Sequence, residues 1–178
     1  EVNFVVNASD EMYAAIDTTM TRPEQQTPWT PDDSVLSEAE RAEGFIALFD
    51  GKSLDGWWGG GDNKNGFAVT EDGTIEWREE GGYAVFTRDR YADFVLRLED
   101  KIEPGGNSGV FLRAPREARH SKIGMEFQIH GDPGEAPHIN GTGAIYDVLA
   151  PVANPSRAAM EWNEVEIRCE GSHFQAML

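Results

Sequence analysis

The sequence predicts an all-β fold, on three observations. From Phe45 onward, apolar and polar residues alternate in runs of about five to nine. Glycine-bearing turns separate these runs, at Gly59-Gly60-Gly61, Asp72-Gly73, Gly81-Gly82, Gly105-Gly106 and Gly141-Thr142-Gly143. No segment after residue 45 keeps a long helical period. Many short strands punctuated by turns are the pattern of a sandwich or barrel of antiparallel strands.

Before that region the chain reads differently. Residues 1–36 are expected to be an arm or linker, and residues 37–178 one domain. Within the arm, Glu11 to Met20 predicts a short helix. Thr21 to Asp33, with Pro23, Pro28 and Pro31, predicts an extended linker. Ser37, followed three residues later by Glu40, predicts a capped helical turn. Phe4-Val5-Val6 is too short for a signal-peptide core, so the chain is either cytoplasmic or defined after removal of a signal.

Composition narrows the function classes. The 178 residues carry 32 acidic and 15 basic side chains, a formal net charge of −17. Phosphate contacts need stripes of Lys and Arg, and none is visible, which argues against nucleic-acid binding and against docking on an anionic membrane. Eleven acids and two bases fall in the first 50 residues, so −9 of the −17 belongs to the arm and the domain entrance. No run approaches the roughly 20 apolar residues of a membrane-spanning helix. The single cysteine, Cys169, sits at an apolar position of an alternating run and is expected to be a buried thiol.

Alternation also sorts side chains by face. Along Met125 to His130, the apolar Met125, Phe127 and Ile129 point one way and Glu126, Gln128 and His130 the other. Along Asn107 to Arg113, Asn107, Gly109, Phe111 and Arg113 share a face. Along Trp162 to Cys169, Asn163, Val165, Ile167 and Cys169 oppose Trp162, Glu164, Glu166 and Arg168. Each strand thus combines a core face with a face bearing ionisable or aromatic groups, as an antiparallel sheet wet on one side requires. The Glu126-Gln128-His130 row is either a solvated outer face or a site. Nearby loops add Asp132, His138 and Asp147. Trp57, Trp58, Tyr146 and Trp162 supply flat rings suited to the apolar faces of sugars. His130, Asp132 and His138 are mixed N/O candidates for a divalent metal, although their spacing matches no known zinc pattern. Gly59-Gly60-Gly61 lacks the flanking residues of a phosphate cradle, and no G-x-S-x-G elbow is present.

Five ordered motifs carry a resemblance: Gly44 to Trp57 (GFIALFDGKSLDGW), Pro104 to Arg113, Gly124 to Ile129, Thr142 to Pro151, and Glu161 to Ile167. Together they resemble the 3-keto-disaccharide hydrolase family, over residues 37–178. The resemblance implies a concanavalin A-like jelly roll of two antiparallel sheets. It also implies a periplasmic or secreted bacterial location and cleavage of glycosides oxidised at C3. A ketone at C3 acidifies the C2 hydrogen, so such a site needs a base, a partner for the enolate oxygen and an acid for the leaving group. Glu126 is the candidate base and Arg113 the candidate oxyanion partner. His130 and Asp132 are candidates for acid or metal ligand. Asn107, Gln128, Tyr146, Asp147, Trp57 and Trp162 are candidates for sugar contacts. No cofactor is required beyond a candidate divalent metal, and the expected partner is an oligosaccharide or glycoside.

The chain departs from the family in two respects. His130-Gly131-Asp132 stands where two adjacent acids are usual. The family also continues past the strand Ser172 to Leu178, so the expected domain ends one or two strands early. That leaves three readings: a fragment, a partner or further segment completing the sheet, or the run Glu1 to Val6 standing in for a strand. A noncatalytic glycan-binding module on the same fold is the alternative function. A retaining glucanase is disfavoured, because Glu126-Phe127-Gln128-Ile129-His130 lacks the second carboxylate about 5 Å away that such enzymes need.

Overall fold

The computed structural model of the chain describes residues 2–8, 30–59, 66–78, 84–114 and 124–178. The expected helix Glu11–Met20, most of the proline-rich linker and the Gly81-Gly82 turn lie outside the described residues. Among those described, the protein is mostly β with antiparallel pairing and almost no helix, as the alternation predicts. The strands are β1 (Val2–Ala8), β2 (Ile46–Ala47), β3 (Trp57–Gly59), β4 (Phe67–Val69), β5 (Ile75–Trp77), β6 (Val85–Thr87), β7 (Phe94–Asp100), β8 (Asn107–Leu112), β9 (Met125–His130), β10 (Asn163–Glu170) and β11 (His173–Met177). The sheet order is β11-β10-β7-β1-β5-β4, with β2 beside β1; β3–β6 and β8–β9 form separate two-stranded ladders.

Within the residues expected to be an arm, Val2–Ala8 is a strand ordered between β7 and β5 and paired with β2 through Val5↔Ala47 and Val6↔Ile46. Val2, Phe4, Val5 and Val6 are β-branched or aromatic, residue types that suit a pleated sheet.

The chain divides into two compact units. One comprises Phe4–Leu96 and Arg168–Phe174. In it, Leu36, Phe45 and Ala47 form a buried cluster with Val95 packed against it. The expected cap is present: the Ser37 amide and hydroxyl donate to Glu40 Oε2 at 2.8 and 2.7 Å, and the Glu40 amide donates back to Ser37 Oγ at 3.2 Å, starting α1 (Glu38–Ala42). Cys169 is 2% exposed, the burial its alternation predicts.

The other unit comprises Glu1–Asn3, Arg97–Ile167 and Gln175–Leu178. Leu98, Leu112, Phe127, Ile129, Val165 and Ile167 are buried in it. β10 alternates buried and outward residues along its length, with Asn163, Val165, Ile167 and Cys169 inward. On its outward side Glu166 accepts from Arg97 Nε at 2.8 Å. On its inward side Asn163 Nδ2 donates to Asp100 Oδ1 at 3.3 Å, and burial pushes the Asp100 carboxyl up to about 6.

Candidate active site on the β8–β9 hairpin

The register of β8 against β9 brings the sequence-predicted residues together. Asn107 pairs with His130, Gly109 with Gln128 and Phe111 with Glu126. Directly opposed residues of an antiparallel pair share a face. One face of the hairpin therefore carries Asn107, Gly109, Phe111, Glu126, Gln128 and His130, while Phe127 (1% exposed) and Ile129 (3%) fill the core from the other.

This face is not simply solvated. Gln128 is fully buried at 1% exposure, and a further segment pairs along the second edge of β9. The Gln128 amide donates to Ala144 O, Gly143 N to Gln128 O, and Tyr146 N to Glu126 O, at 2.9 to 3.0 Å. Gln128 Nε2 donates to Asn107 Oδ1 and Asn140 O, both at 3.2 Å. Its Oε1 is a buried acceptor with no donor against it among the described residues. An acceptor left so costs about 1–3 kcal/mol, which a ligand hydroxyl or a water would relieve.

Glu126 lies half-buried one strand position in from the start of β9. Burial pushes its carboxyl above the ordinary glutamate value, the direction a general base working near neutrality needs. The room for this side chain comes from Gly109. A Cβ at that position would lie 2.5 Å from Glu126 Oε1 and 2.9 Å from its Cγ.

At the other end of the row the chain turns at Gly131, where any side chain would overlap the Glu103 carbonyl oxygen and the Gly105 amide. The turn delivers Asp132 into the interior, where it is 2% exposed. Thr142 N donates to its Oδ2 at 3.1 Å, and Asn154 Nδ2 to its backbone oxygen at 2.9 Å and to Oδ1 at 3.3 Å. His130 Nδ1 and His138 Nε2 stand 3.4 and 3.5 Å from Oδ2. Burial acts to raise the Asp132 pKa, but the hydrogen bonds from Thr142 and the neighbouring His130 outweigh it, so the carboxyl titrates below its ordinary value. Thr142 Oγ1 also accepts from His130 N at 2.9 Å and donates to His130 O, pinning the end of β9 to the loop. An Asp carboxylate against one imidazole nitrogen orients the ring and leaves the other nitrogen free for proton transfer.

The metal reading changes its membership. Among the described residues, Asp132, Glu135 and His138 have ligand atoms within 4.8 Å of one another. The sequence reading missed Glu135 because an exposed glutamate in a Gly/Pro loop gives no periodic signal. The set offers one nitrogen and two carboxylates, suited to a divalent cation, but Asp132 already accepts from Thr142 and Asn154 and so is engaged as a loop anchor without one.

Other predicted residues fall elsewhere. β8 ends at Leu112, and Arg113 is exposed with φ 52, so strand alternation does not extend to it and assigns it no face. The left-handed backbone at a non-glycine residue costs about 1–2 kcal/mol and is typical of functional positions. Asp147 shares this feature (φ 60) at the exposed tip of the turn closed by the Ile145↔Leu149 bridge. Tyr146 is half-buried, opposite Glu126. Trp162 is half-buried with Lys101 Nζ 4.8 Å above its ring, so one face is occupied. Trp57 is a core residue of the other unit at 5% exposure, which leaves its ring little face to offer a sugar. The sequence reading also missed Thr142 and Asn154. Both anchor Asp132 across long sequence separations that a linear pattern does not show.

The family model for the 3-keto-alpha-glucoside-1,2-lyase-like domain matches residues 44–178. The chain belongs to this family. It is 30% identical over 152 residues to a protein of Bacteroides thetaiotaomicron named 3-keto-disaccharide hydrolase, covering 71% of this chain and 52% of that one. The chain thus spans about half the length of the curated relative it matches. Two crystal structures from Parabacteroides distasonis, each described as a "putative glycosyl hydrolase", are similar at 26% identity. The first has a TM-score of 0.67 and covers 80% of this chain and 72% of that one; the second has 0.54, with 70% and 63%.

Proposed function

We propose that the protein cleaves the glycosidic bond of 3-keto-glycosides, with Glu126 as the base that removes the C2 proton. The observation carrying this reading is the half-buried Glu126 carboxylate, raised in pKa, on the same face as Gln128 and His130. The C2–H electrons move to the C3 oxygen as an enolate, and the proton passes to Glu126. Collapse of the enolate forms the C1–C2 double bond and expels the C1 substituent, which takes up a proton to leave as an alcohol. Water then adds across the double bond and yields the free 3-keto sugar.

Strand geometry suits one sugar ring. Glu126 and His130 are four residues apart, about 13 Å between Cα atoms at 3.3–3.4 Å per residue. That span is wide enough to set a monosaccharide between the two side chains. His130, whose Nδ1 lies 3.4 Å from Asp132 Oδ2, is the proposed acid for the leaving oxygen. Arg113 is the proposed partner of the enolate oxygen. Asn107 and Tyr146, flanking the row, are the proposed sugar contacts, with Asp147 and Trp162 further out. We also propose that the antiparallel strands form the concanavalin A-like jelly roll implied by the resemblance. On that resemblance alone we propose a periplasmic or secreted location, which cell fractionation checks.

Incubation with a 3-keto-disaccharide and its unoxidised parent tests the function. Cleavage of the keto form alone is the expected result. Binding of both without cleavage would instead favour a glycan-binding module.

A further inference from the structure

We propose that Gly109 is a positioning residue for Glu126: by lacking a side chain, it lets the carboxylate fold against β8 in the orientation that the reaction uses. The inference deepens the function proposed above and rests on it. Gly109 sits in the middle of β8, opposite Gln128, with its φ outside the left-handed region. Backbone conformation therefore does not demand glycine there. A glycine inside a strand weakens it unless something must approach closely. Here the group that approaches is identified. A Cβ at 109 would stand 2.5 Å from Glu126 Oε1, 2.9 Å from Cγ and 3.1 Å from Cδ, and the three nearest atoms all belong to this one side chain. Separations under 3.0 Å are not sustained, so in Gly109→Ala something moves. The far end of Glu126 is flexible and the ladder is not, so the carboxylate moves, away from β8 and toward water.

The consequence is specific. Displacement of a reacting group by about 1 Å costs on the order of 100-fold. Gly109→Ala is expected to lower kcat on a 3-keto-glucoside by about that factor with little change in KM. Its burial partly lost, the carboxylate also titrates lower, so the acid limb of the pH–rate profile moves to lower pH. Glu126→Asp shortens the side chain by one methylene and withdraws the carboxylate oxygen from the closest overlap, at 2.5 Å, while Cγ stays in place. In the Gly109→Ala background this substitution is expected to restore activity relative to Gly109→Ala alone, whereas in the wild-type background it lowers it. A merely structural glycine would show neither the moved pH limb nor the rescue.

The experiment compares these three variants with wild type by kinetics, by thermal unfolding, and by NMR titration of the Glu126 carboxyl in the full chain. Activity of Gly109→Ala within about twofold of wild type, or independent effects of the two substitutions, overturns the proposal. The titration separates this failure from failure of the function. If wild type cleaves no 3-keto-glycoside, the reaction falls, and an unchanged Glu126 pKa in Gly109→Ala removes the positioning contact as well. A lowered pKa there keeps it.

Discussion

Glu126 and Asp132 lie six residues apart, and their surroundings drive them in opposite directions. Burial alone raises Glu126; Asp132, 2% exposed, accepts from Thr142 and Asn154 and lies beside His130, and these outweigh its burial and lower it. Two carboxylates pushed apart in this way suit two roles, one exchanging protons and one staying charged. The base must be ionised, so kcat/KM is expected to fall as the pH drops through the raised Glu126 pKa, above the ordinary 4.5, in a pH–rate profile. Asp132 contributes stability that is present above its unfolded pKa and lost as the pH falls through its lowered folded value. Asp100 shows the reverse sign. With a folded pKa of about 6 against 3.8, its contribution is fully present below 3.8 and lost as the pH rises through 6. A shift of that size corresponds to about 3 kcal/mol. Asp100→Asn, which keeps an acceptor for Asn163, is therefore expected to raise urea stability at pH 8 by up to about 3 kcal/mol and to change it little near pH 3.5.

At the scale of elements, the loop from Gly131 to Thr142 turns an ordinary hairpin face into a site. β10 was legible residue by residue, because alternation is a local property, whereas β8 and β9 were legible as strands but their burial does not alternate. The burial of Gln128 was not legible, since it depends on Ala144, Asn140 and Tyr146 returning to the far edge of β9. Arg113 shows the limit of the pattern from the other side: alternation assigns it a face only if the strand continues, and the backbone leaves the strand one residue earlier. Thr142 ties loop to strand through its hydroxyl and its amide. Thr142→Val removes the hydroxyl that meets the His130 amide and is expected to cost about 1–3 kcal/mol. Hydrogen exchange should show the loss as faster exchange at His130 and across residues 131–142, with the β10 amides unchanged. Uniform loss of protection would mean that the loop is not a separable element.

At the scale of the molecule, the all-β class followed from strand spacing and turn residues alone, and the family from five motifs in order. The place of the first strand did not follow. Val2–Ala8 lies more than thirty residues ahead of its partner β2, and nothing local distinguishes a central strand from an arm of the same composition. A chain lacking residues 1–8 leaves the facing edges of β7 and β5 without a partner and is expected to unfold at lower urea concentration and to associate at its open edges. Unchanged stability and a monodisperse deletion variant would contradict the strand order. The acidity of the whole chain bears little on this chemistry, since about half of it resides in the first 50 residues. The central claim concerns one proton. Incubating a 3-keto-glucoside with the protein in D2O and following its C2 hydrogen by NMR tests that claim directly. Wild type is expected to exchange or eliminate that hydrogen, and Glu126→Gln to do so at least about 100-fold more slowly; exchange at the wild-type rate in the Gln variant would show that Glu126 is not the base.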